Sequence, residues 1–186
     1  TFGKMGSDMW DMSKRTGVSV EALGELGYAA DQSGASMSDL ETSLRKMQRT
    51  IGDAAAGSTS AQDALALLGL TVENLTGLSP EKQFRLIADH LDRISDPTMK
   101  AAAAMEIFGK SGTSLLPMIE GGAVGLEAYA QAARRLGLVM STQDAAAADQ
   151  FGDVMGDLGK VLKMSVFTIG SALAPALLTG FSLAVA

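Results

Sequence analysis

The stretch SMSDLETSLRKMQRTI, Ser36 to Ile51, decides the fold class. Met37, Leu40, Leu44, Met47 and Ile51 recur at steps of three, four, three and four, the rhythm that lines one face of an α-helix. Glu41 and Arg45 add an i,i+4 pair of opposite charge on another face. Such a seam has to be buried, either inside the domain or between copies of the chain.

The same rhythm extends in both directions. Phe2, Met5, Met9 and Met12 precede Lys14, Arg15 and Gly17, a basic last turn and a stop, so residues 1–16 read as the end of a helix that enters from upstream. Ser19 caps a helix presenting Val20, Leu23, Leu26 and Ala30 and ending near Gly34, and Gly24 with Gly27 makes it either loose or closely packed. After Gly57-Ser58-Thr59-Ser60, Ser60 with Asp63 opens a short helix that stops at Gly69, and a turn follows. Ser79-Pro80 starts a helix with the face Phe84, Ile87, Leu91 and Ile94. Asp96-Pro97 starts another, through Ala101–Ala104 to Phe108. Glycines and Pro117 punctuate a tight region holding Leu115 and Leu116, and a further helix presents Leu126, Tyr129, Ala133 and Leu136.

From Ser141 and Asp144, a cap pair, the stripe Phe151, Val154 or Met155, Leu158 and Leu162 runs on without a strong breaker until Pro175, which predicts the longest helix. Apolar residues make up 47% of the chain and aromatics 5%, so the apolar content is mostly helix-forming Ala, Leu and Met, and strand patterns are nearly missing. The expected fold is all-α: a compact module of short helices at 17–140, then one long helix at 141–186 leading into a hydrophobic segment.

That segment, 164–186, contains no charged residue. Met164, Val166, Phe167, Ile169, Leu173, Pro175, Leu177, Leu178, Phe181 and Leu183 are its expected membrane or oligomer contacts. At ~1.5 Å per residue it spans roughly 34 Å, enough for a hydrocarbon core of about 30 Å. A buried core helix has a similar composition, but a charge-free run of this length favours membrane competence. Its Ala, Gly and Ser content also suits bundling between copies.

Chemistry-bearing motifs are sparse. With no cysteine and a single histidine, His90, the chain offers no thiolate site, no metal-ligand set and no nucleophile with a paired base. His90 reads as a boundary residue, and Asp89, Asp92 and Asp96 spread around a solvated face. The sequence AMEIFGKS, Ala104 to Ser111, imitates the end of a phosphate-binding loop. It has Ala104 where that loop needs glycine and a helix where it needs a strand, so it reads as a turn with Lys110 in solvent. Gly121-Gly122 with Gly125 lacks the spacing of a dinucleotide fingerprint, and Asn74-Leu75-Thr76 matches a glycosylation sequon by chance. A net charge of −6 argues against gripping a nucleic-acid backbone. The opening residues carry neither an initiator Met nor a secretory leader, so the chain reads as a piece of a longer one. No enzyme activity and no cofactor are expected.

Four phrases resemble the core region of phage and prophage tail tape measure proteins: TGVSVEALGELGYAADQSGASMSDLETSLRKMQRTI (Thr16 to Ile51), LGLTVENLTGLSPEKQFRLIADHL (Leu68 to Leu91), AAAAMEIFGKSGTSLLPMI (Ala101 to Ile119) and EAYAQAARRLGLVMSTQDAAAADQFGD (Glu127 to Asp153). The resemblance spans approximately residues 16–165, and the tail from Met164 is similar to the hydrophobic segments that often follow this core. It implies a non-enzymatic structural protein of the virion, a homo-oligomer of a few copies such as a trimer, in the tail tube lumen or at the tail tip. Its implied partners are tail tube and tail tip proteins and, transiently during DNA ejection, the host cytoplasmic membrane. DNA would pass nearby without specific binding. The alternative is a pore-forming or membrane-translocated helical toxin domain, which normally needs two apolar segments where this sequence displays one.

Overall fold

The computed structural model describes residues 2–184, with side chains from Lys4 to Ser165. It is all-α. In chain order the helices are α1 (Phe2–Thr16), α2 (Val20–Gln32), α3 (Met37–Ala55), α4 (Thr59–Ala66), α5 (Val72–Leu75), α6 (Pro80–Asp92) and α7 (Pro97–Phe108). A 3-10 turn at Lys110–Leu115 then leads to α8 (Leu116–Ile119), α9 (Gly122–Arg135) and α10 (Thr142–Ala184), and no strand occurs among the described residues.

Local chemistry sets the helix starts. Ser36 and Asp39 form a reciprocal capping box on α3: Ser36 Oγ accepts the Asp39 amide at 3.1 Å, and the Asp39 carboxylate accepts the Ser36 amide at 3.1 Å. Proline stands at the first position of α6 and α7, where an amide would have no partner. Asp96 caps α7 by accepting the Met99 amide at 2.8 Å.

The α3 face is the centre of the molecule. Leu40, Leu44 and Met47 are fully buried, Ile51 is buried, and half-buried Met37 lays its thioether against Gly27 of α2. Helices α1, α2, α4, α5, α6 and α7 and the 3-10 turn all touch α3. The Phe84 and Phe108 rings meet at 5.4 Å and join α6 to α7, while Tyr28 and Tyr129 meet edge-on at 6.4 Å and join α2 to α9.

Several details depart from the expectations drawn from sequence. The α4 cap is Ser58, two residues before Ser60. The turn after Gly69 contains α5, and the Asn74 amide oxygen accepts the Thr71 backbone amide at 2.8 Å, which gives that sequon residue a capping task. Leu136 lies at the end of α9 and is exposed instead of joining its apolar face. α2 is closely packed: a methyl group at Gly24 would stand 3.4 Å from the Val139 backbone. Burial also crosses the boundaries expected at 17 and 141, since Met12 and Thr16 of α1 and Ala145 and Ala148 of α10 are all buried.

Leu44 is fully buried at the centre of the core, so Leu44→Ala should cost about 2–5 kcal/mol. Chemical denaturation followed by circular dichroism measures this. A loss below about 1 kcal/mol would place α3 at the periphery of the fold.

Candidate functional surface

The candidate surface lies where α10 leaves the module. Its first turn is held from two sides. Ser141 Oγ accepts the Asp144 amide at 3.1 Å and donates to the Asp144 carboxylate at 2.6 Å, the local cap anticipated from sequence. Glu21, in the first turn of α2, adds a long-range cap by accepting the Thr142 amide at 2.7 Å and the Thr142 hydroxyl at 2.8 Å. The backbone bond from Thr142, helped by its hydroxyl, holds the Glu21 carboxyl below the ordinary range.

Above this cap α1 lies along α10. Gly6 meets Ala148, a contact in which a larger side chain would force the helices apart, and Ser7 Oγ donates to the Asp149 carboxylate at 2.5 Å. Glu21 at the α10 start is close in sequence to the end of α1, whereas Ser7 reaches farther along α10, so the two helices run antiparallel. Arg15 completes the anchorage by donating to Glu41 of α3 at 2.7 Å.

Beyond Gln150 the helix stands clear. Phe151, Val154, Met155, Leu158, Val161 and Leu162 are each between 48% and 64% exposed. At about 100° per residue they share an arc of about 120°, Asp157 flanks it, and Asp153, Lys160 and Lys163 occupy the opposite side. This is the largest run of exposed apolar side chains on one element among the described residues.

The other singled-out residues fall as follows. Leu40, Leu44, Met47 and Ile51 line the interior of the module, where they are not available to another copy, while Met37 is half-buried at their edge. Met164 is exposed on α10. Val166, Phe167, Ile169, Leu173, Pro175, Leu177, Leu178, Phe181 and Leu183 lie outside the residues whose side chains are described. Among the described residues no helix is long and apolar enough to cross a membrane, and no group of three or more acidic or histidine side chains is placed to hold a metal ion. His90 Nδ1 lies 2.7 Å from the Leu68 carbonyl and ties α6 to the loop after α4. Gly109, with φ of 78°, ends α7 and starts the 3-10 turn, so Lys110 sits on a helix stop and not in a phosphate cradle.

One network gave no signal in the sequence. The largely buried Glu25 of α2 accepts from Arg85 of α6 at 3.2 Å and from Arg134 of α9 at 2.7 Å, and Glu127 of α9 binds the same two arginines at 3.2 and 3.3 Å. Two negative and two positive groups thereby clasp three helices. A groove of about 540 Å³ between α1 and α3, lined by Met5, Met9, Met12 and Met37 with Asp8, Asp11 and Glu41 on its rim, is open and carries no convergent reactive groups.

Because the Glu21 carboxyl is held low, its contribution is complete at neutral pH and is lost as the pH falls through its folded-state value below the ordinary carboxylate range. Hydrogen-exchange protection of the Thr142 amide should therefore fall in acid, and Glu21→Gln should lower it already at neutral pH. Protection unaltered by Glu21→Gln would show that the α10 start is held by the Ser141 box alone.

No family model, no curated protein and no solved structure matches this chain.

Proposed function

We propose that this chain is the helical core of a phage tail tape measure protein: a structural, non-enzymatic virion component that acts in tail assembly and in DNA delivery through the host membrane. The reading rests on the four sequence phrases given above, in their order along the chain. One structural observation supports it most directly. The last helix runs from Thr142 to Ala184, and the sequence of that stretch carries no charge after Lys163.

At ~1.5 Å per residue α10 is about 65 Å long, and the helices of the module are far shorter. The module is a poor ruler, since its helices fold back on one another and add little length per residue. In this reading ruler length resides in other parts of the protein, and residues 17–140 are a packing unit next to the membrane-active segment. Tail tube and tail tip proteins are the partners of the assembled form, and the host cytoplasmic membrane is the partner of residues 164–186 during ejection. A net charge of −6 suits a lumen component past which DNA must slide without sticking.

The test is an internal deletion in the phage followed by electron microscopy and a DNA-delivery assay. Removing a helix within residues 17–140 should abolish assembly or ejection. Tails shortened in proportion to the deletion, with delivery intact, would contradict the assignment. Leakage of dye from vesicles of bacterial lipid on adding the full chain, lost when Leu173 and Leu177 are both changed to Asp, is the expected result for the membrane role.

A further inference from the structure

The outer face of α3 is basic in an acidic chain. At about 100° per residue Thr42, Arg45, Lys46 and Arg49 share an arc of about 100°, diametrically opposite the buried Leu40, Leu44, Met47 and Ile51. All four are exposed. Glu41, the partner expected for Arg45 from sequence, is held by Arg15 at 2.7 Å, which leaves Arg45 without an ion pair among the described residues. Lys46 makes none either. A side chain at Gly109 would meet the Lys46 stem at 3.3 Å, so that stem is steadied against the turn after α7.

Where this face meets the start of α4 there is a recess of about 100 Å³, lined by Lys46, Thr50, Ser58 and Ser60 together with the carboxylates of Asp53 and Glu106. Thr50 sits on the border between the basic arc and the core, and it is only 3% exposed. Its hydroxyl has no hydrogen-bond partner, not even the carbonyl one turn back that a helical threonine commonly takes. A buried donor left in this condition costs free energy that a guest in the recess would recover. Ser58 Oγ accepts the Ala61 amide at 3.4 Å, while the Thr59 and Ser60 amides before it have no carbonyl within α4 to meet. The positive end of the α4 dipole falls at the same place.

We propose that this recess binds a phosphate group, with Lys46 as its charge partner and the Thr50 hydroxyl and the first α4 amides as its donors. An ammonium and backbone amides donate and never accept, so the site is built for an anion rich in acceptors and not for a metal ion. Arg49 lies 3.7 Å from Asp53 and offsets that carboxylate. Glu106 is exposed and opposes the anion, which makes it a brake on affinity. The volume equals that of about three water molecules, enough for one tetrahedral oxyanion and too small for a base or a sugar beside it. The carrier of the phosphate therefore lies outside, over the adjoining hollow of about 400 Å³ lined by Thr42, Arg45, Lys46 and Arg49. Free phosphate and a phospholipid headgroup share this chemistry. The inference stands on the recess alone and does not depend on the role proposed above.

The experiment titrates the full chain with inorganic phosphate in a calorimeter, with sodium chloride holding the ionic strength constant. Saturable binding of one phosphate per chain is expected. Lys46→Gln and Thr50→Val should each weaken it by about tenfold, and Glu106→Gln should strengthen it. Without phosphate, Thr50→Val should unfold at the same temperature or higher, because it removes a buried hydroxyl that has no partner, so its weaker binding would not come from a damaged fold. Sedimentation with vesicles of phosphatidylglycerol or phosphatidylcholine separates the two sources. A preference for phosphatidylglycerol that Lys46→Gln abolishes assigns the site to a lipid headgroup, and phosphate binding without such a preference assigns it to the free anion. Absence of saturable phosphate binding at constant ionic strength, binding unchanged in both Lys46→Gln and Thr50→Val, or binding of calcium or magnesium that Glu106→Gln abolishes would overturn the proposal.

Discussion

Everything in this molecule depends on removing one face of α3 from water. Leu40, Leu44 and Met47 are fully enclosed by seven other elements, each side chain contributing about 1.5–3 kcal/mol of burial. Most of those elements are too short to be helical by themselves, because a few hydrogen bonds do not offset the cost of nucleating a helix. They persist by packing on α3. Cooperativity of that kind makes the module an all-or-none unit.

The second constraint is the anchorage of α10. Its base belongs to the core through Ala145 and Ala148, and small residues on both helices let α1 lie close against it. Glu21 and Ser141 satisfy amides at its start that would otherwise be unpaired. With the first turns fixed, the direction of the remaining helix is fixed too. An apolar stripe that would be a liability on a flexible tail becomes a surface presented in a defined orientation.

Much of the fold was legible in local patterns. The α3 seam, the Ser141 cap pair, the two proline starts and the glycine stops all act within a few residues, so spacing alone announces them. The 3.6-residue period also announced the α10 stripe, but not that it would remain uncovered, since burial is decided by what packs against a helix. The same limit explains the burial of Ser43 and Thr50, two hydroxyls beside the α3 seam that the surrounding helices enclose. Glu25 and its arginines were invisible for a related reason: its partners lie 60 and 109 residues away and carry no local signature. Leu136 fits the rhythm of α9 yet projects past the last turn that has a neighbour.

A single helix, α10, begins inside the core at Ala145 and Ala148 and continues out of it past Gln150. Electron spin resonance on a chain with Gln143→Cys and Lys163→Cys labels, diluted into unlabelled protein, measures this directly. An unbroken helix places the two backbone positions about 30 Å apart with a narrow distribution. A broad or much shorter distance would mean that α10 breaks after Gln150 and folds its stripe back onto the module, and the account of a presented surface would then fail.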